Sequence, residues 1–109
     1  MQKLVVTRHQ GAVDWLVRHG HVGPDVDVVA HATADNVAGK DVFGVLPLHL
    51  AAVAGRVNSI DLPNLPADRR GTDLSADDMD AFGAVLTGYV VLTSGQFDSL
   101  QDAVNFRVK

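Results

Sequence analysis

Apolar residues in this chain gather in short β-branched bursts separated by stretches with helical spacing. Leu4-Val5-Val6 sits inside a run from Lys3 to Arg8 that lacks the alternation of a half-exposed strand, so the pattern predicts a strand buried on both faces, as in a parallel sheet. Ala12, Trp15, Leu16 and His19 then fall on one face of a helix over 12–19. Asp14 stands in its first turn, and Gly20 with Gly23-Pro24 supplies the stop. Val26 to Ala30 reads as a second strand delivering His31, and the polar segment Thr33 to Lys40 as a loop. Asp41 to Leu46 makes a third strand, and Pro47 suits the first position of a short helix through Leu50, Ala51 and Ala54. Val57 to Leu62 is a fourth strand, followed by an irregular, proline-framed segment holding Asp68, Arg69 and Arg70. Ser75 and Asp78 form a capping-box pattern ahead of a third helix, with Met79, Phe82, Val85 and Leu86 as its apolar face and Gly88 as its end. A fifth strand over 89–93 and a terminal helix over 100–106 complete the pattern.

That order predicts an α/β fold: a compact Rossmann-like domain with a mostly parallel sheet flanked by helices. At 109 residues the chain has room for one core, so residues 1–109 are expected to form a single domain. An apolar share of 47% with 20% charged residues excludes disorder. The formal net charge of -4 argues against wrapping a long nucleic acid, whereas a small anion needs only a few local cations. With no cysteine, disulfides, thiolate catalysis and the usual structural zinc are excluded. Neither a signal-like hydrophobic region nor a run of about 20 apolar residues appears. The expectation is therefore a cytoplasmic protein without a membrane partner.

Candidate chemistry collects where the predicted strands end. Arg8 and His9 follow the first strand, His31 the second, and Arg69 and Arg70 the fourth, positions that share one edge of a parallel sheet. Gly11 admits the chain into a helix whose N-terminus offers free amides to an anion. Arginine suits phosphodiesters, and histidine titrates nearest neutrality. The structural reading of each remains open beside this one: Arg8 and His9 bonded to buried carbonyls, His31 as a cap, Arg69 and Arg70 as a solvated loop. His19, His21 and His49 lack metal-ligand spacing, so no metal and no cofactor are expected. Arg8-His9 also matches the start of the Arg-His-Gly signature of histidine phosphatases, but Gln10 intervenes and the chain is much shorter than that family's domain.

Three blocks together carry a resemblance: Val5-Val6-Thr7-Arg8-His9-Gln10-Gly11-Ala12-Val13-Asp14-Trp15-Leu16; Gly44-Val45-Leu46-Pro47 leading into Leu50-Ala51-Ala52; and Pro66-Ala67-Asp68-Arg69-Arg70-Gly71 with Leu74 and Met79. Over about residues 4–90 they resemble a small, single-domain accessory family of type III CRISPR-associated proteins regarded as ring nucleases. The resemblance implies a CARF-like fold, a homodimer, and metal-independent degradation of a cyclic oligoadenylate messenger, cyclic tetra-adenylate foremost. It implies catalytic roles for Arg8, His9 and Arg70 and ligand contacts from Thr7 and Gly11, with Arg69 a lesser partner of Arg70. Leu46 and Pro47 would shape the adenine contacts. His31 is added on its position alone. Three other readings stand beside it: a module that sequesters the ring uncut, a phosphoryl-transfer enzyme for a mononucleotide, and an interaction domain whose polar loops shape a dimer surface.

Overall fold

The computed structural model describes residues 1–108, with side chains through Val104. Four parallel strands, β1 (Lys3–Val6), β2 (Asp27–Val29), β3 (Asp41–Phe43) and β4 (Arg56–Asp61), lie in the order β2-β1-β3-β4, and β5 (Val85–Tyr89) joins β4 antiparallel at the edge. In register, Leu4 pairs with Asp27 on one side and Val42 on the other, and Val42 pairs with Val57. Successive strand side chains point to opposite faces. Leu4 and Val42 therefore enter one core, and their neighbours Val5 and Phe43 enter another.

Helices cover both faces, as the doubly buried strands demand. α1 (Gln10–Arg18) and α4 (Ala76–Ala81) bury Trp15, Leu16, Ala76 and Met79 against Val5 and Phe43. On the other face, α2 (Ala34–Val37) and α3 (Leu48–Ala51) set Val37 and Leu50 against Leu4 and Val42. α5 (Ser94–Val108) follows β5. The architecture is the expected Rossmann-like α/β layout with a mostly parallel sheet.

Local chemistry moves several boundaries. α1 starts at Gln10, ahead of the expected Ala12, with His9 as its N-cap. Asp14 consequently leaves the first turn and accepts a hydrogen bond from Gln10 Nε2 at 2.9 Å. Pro47 is the N-cap of α3 and not its first residue. The supposed loop over 33–40 contains α2, because Thr33 and Asn36 cap each other reciprocally at 2.8 and 3.2 Å. The capping box of Ser75 and Asp78 opens α4 as expected. The helix then stops at Ala81: Gly83 turns left-handed (φ 73°) and the Ala84 amide donates back to the Met79 carbonyl at 3.0 Å. Val85 and Leu86 thereby open β5 instead of extending a helical face, and the expected strand over 89–93 shifts to Val85–Tyr89.

At the amino end of the sheet, Asp41 is 2% exposed. It accepts 2.9 and 2.7 Å bonds from the Arg56 guanidinium and a 2.6 Å bond from Asn58 Nδ2. The Arg56 bonds, ahead of those from Asn58, hold the Asp41 carboxyl below its ordinary value of 3.8. A depressed carboxyl contributes stability above the unfolded value and loses it as pH falls through the folded one. Replacing Asp41→Asn should cost about 2 kcal/mol near neutrality, less than for a fully buried pair because Arg56 is half-exposed. The difference from the parent should shrink as pH drops below about 4. Urea denaturation across pH checks this, and a pH-independent difference contradicts it.

Candidate functional site

β1 and β3 are neighbours, yet α1 and α3 leave them toward opposite faces. The sheet order reverses between them, and such a switch point opens a crevice at the carboxyl ends of the strands. The crevice here has a volume of about 430 Å3. Its floor is apolar, with Val5, Leu16, Phe43 and Met79, and its mouth carries Thr7, Arg8, His9, Val45 and Thr72.

Backbone contacts set the walls. Gly44 lies at φ 144°, where a Cβ would sit 2.3 Å from the Val6 carbonyl oxygen. β3 thus leaves the sheet pressed against β1, and Val45 turns out to 81% exposure. On the opposite wall a Cβ on Gly11 would lie 1.8 Å from the Leu74 carbonyl oxygen. α1 and the segment 71–74 can approach this closely only through glycine.

The polar groups follow from the end of β1. The Thr7 amide donates to the Val29 carbonyl at 3.0 Å, extending the β1–β2 pairing, and Thr7 Oγ1 accepts from the His9 amide at 3.1 Å. Arg8 crosses toward β2, where its Nη2 lies 3.3 Å from both ring nitrogens of His31. His9 caps α1 without a side-chain hydrogen bond to the helix. Its Nδ1 lies 2.8 Å from Asp73 Oδ1.

Charge pairing divides the arginines. Arg18 bonds Asp77 and Asp80, Arg56 bonds Asp41, and Arg69 bonds Asp78 while lying 5.4 Å over the Phe82 ring. Asp78 is itself held below the usual carboxylate range, chiefly by the Ser75 amide. Among the described residues, Arg8 and Arg70 form no ion pair with a carboxylate. A cation facing an imidazole instead of a carboxylate at the mouth of an apolar crevice is suited to an anionic ligand.

The structure therefore brings Thr7, Arg8, His9 and His31 together, with Gly11 beside them in the wall. Arg70 is exposed just before the segment that reaches Thr72. Arg69 is held by Asp78 and Phe82. Leu46 packs into the core beside Val42 and Leu50, and Pro47 caps α3, so neither lines the crevice; Val45 does. Sequence reasoning missed Asp73 and Val45. A carboxylate placed straight after the cationic loop was the signal for the first, and strand alternation through Phe43-Gly44-Val45 for the second. His19 belongs elsewhere: its ring lies tilted 4.7 Å from that of Trp15 and bonds Asp80 at 2.7 Å, which lowers the Asp80 carboxyl and ties α1 to α4.

The family described as "Putative CRISPR-associated protein (Cas_VVA1548)" matches residues 4–92, a span that takes in the five strands apart from Lys3 and the whole crevice and leaves α5 outside. No curated protein and no solved structure matches the chain.

Substituting Gly11→Ala must push Leu74 away from α1. The expected loss is about 3 kcal/mol, seen as a lower midpoint in thermal unfolding. A midpoint equal to the parent's would show that the wall tolerates separation.

Proposed function

The chain belongs to this family of CRISPR-associated proteins, and we propose that it is a ring nuclease cleaving cyclic oligoadenylate, cyclic tetra-adenylate foremost, without a metal. Cleavage would end type III CRISPR signalling by the messenger. The observation that carries the reading is Arg8, a cation without a carboxylate partner among the described residues, at the mouth of an apolar crevice beside two imidazoles. An apolar floor receives a purine base, and the cationic rim receives its phosphate.

In such a ring each ribose 2′-hydroxyl lies next to the phosphorus it can attack. The O2′–P bond forms and the P–O5′ bond breaks, leaving a 2′,3′-cyclic phosphate and a 5′-hydroxyl. His9 accepts the 2′ proton, and a proton returns to the departing 5′-oxygen. Arg8 stabilises the charge developing on the non-bridging oxygens, and the Gln10 and Gly11 amides at the start of α1, which lack a side-chain cap, add to it. Arg70 closes from the loop before Thr72. A volume of about 430 Å3 lies low in the range of small-ligand sites, about 300–1,000 Å3. It suits one or two nucleotides, so a four-nucleotide ring needs a second crevice. A two-fold homodimer supplies one in matching symmetry.

Incubation of the protein with cyclic tetra-adenylate in excess EDTA, read by chromatography and mass spectrometry, should yield linear products ending in cyclic phosphate. The variant Arg8→Ala should lose cleavage by about 100-fold or more while still binding ring. Intact ring co-eluting with the protein would replace cleavage with sequestration. Intact ring that does not bind would remove the messenger from the function.

A further inference from the structure

We propose that Asp73 is a positioning residue: its carboxylate holds His9 with Nδ1 protonated, leaving Nε2 as the nitrogen free to take a proton. A carboxylate only accepts, so the 2.8 Å contact between His9 Nδ1 and Asp73 Oδ1 places the hydrogen on Nδ1. In the neutral ring, Nε2 is then the lone-pair nitrogen. Which nitrogen carries the proton is set by the bond the other makes.

The contact does not fix the segment that brings Asp73. One residue on, the Leu74 carbonyl is wedged against Gly11, and next to it Ser75 and Asp78 bond each other at the start of α4. The carboxylate is thus delivered to a place decided by backbone packing. His9 is fixed equally independently, as the N-cap of α1 with its amide on Thr7. With side-chain exposures of 61% and 89%, the pair adds little to stability. Its worth lies in the orientation of the ring. Of the charges close to the pair in the chain, Arg8 lies against His31 and Asp14 accepts from Gln10, while Arg70, three residues before Asp73, forms no ion pair with a carboxylate among the described residues.

The role in turnover rests on the ring-cleavage reading: Nε2 takes the 2′-hydroxyl proton as O2′–P forms, and the Asp73 charge steadies the resulting imidazolium while staying ionised. The tautomer itself does not rest on that reading. The test is therefore double. Two-bond proton–nitrogen correlation spectra of histidine-labelled protein at about pH 8, where imidazoles are neutral, with His9→Gln assigning one of the five histidines, should show His9 as the Nδ1–H form. Asp73→Ala should move it toward the Nε2–H form. The same variant should lower kcat about 10- to 100-fold with KM within about twofold, and Asp73→Asn, which can still accept from Nδ1–H, should recover part of the loss. An Nε2–H ring in the parent, or a tautomer indifferent to Asp73→Ala, overturns the proposal. A parent that leaves the ring molecule intact while its tautomer follows Asp73 overturns cleavage and supports the positioning.

Discussion

The carbonyl of Leu74 occupies the space a β-carbon on Gly11 would need, and much of the crevice depends on that one close approach. It draws the segment 71–74 over the start of α1, which sets Thr72 and Leu74 in the crevice and Asp73 within reach of His9. It also brings α4 against α1, where Trp15 and His19 share the Asp80 carboxylate. The ion pairs there are exposed and weak singly. Backbone packing supplies the geometry, and the side-chain bonds follow from it.

Charge is sorted along the molecule in a way that the net value of -4 conceals. Carboxylates take up Arg18, Arg56 and Arg69 in contacts that join elements: α1 to α4, β3 to β4, and the segment after β4 to α4. Among the described residues, Arg8, at the carboxyl end of β1, meets an imidazole and no carboxylate. An overall acidic chain thereby keeps one cation at the carboxyl end of its sheet outside the carboxylate pairs, while its surplus negative charge disfavours long polyanions.

Much of this was legible in the sequence because the parallel strands announce themselves as valine-rich runs, largely buried in β1 and β3 and more exposed in the edge strand β2. Where such runs end in Arg8-His9 and His31, the parallel arrangement makes them neighbours. The ends of helices were less legible. Met79, Phe82, Val85 and Leu86 satisfy helical spacing, but the left-handed turn at Gly83 outweighs the pattern, and the same residues serve a strand. α2 was hidden because it is only four residues long, with Asp35 and Asn36 between Ala34 and the buried Val37, and its local signature is the Thr33–Asn36 pairing. The resemblance implies ligand contacts for Leu46 and Arg69, whereas in the structure their side chains are taken up by the second core and by Asp78 with Phe82. Asp73 was missed because its partner is 64 residues away.

The exit of β3 places three unlike positions in a row. Gly44 has no room for any side chain, Leu46 is committed to the core, and Val45 between them stands in solvent at the crevice mouth. Gly44 cannot change without pushing β3 from β1, and a change at Leu46 disturbs its packing against the second core. Val45 alone can drift through residues of different size and polarity at little cost to folding. Substitution at Val45 therefore reshapes the mouth of the crevice one side chain at a time, without reopening the question of whether the protein folds.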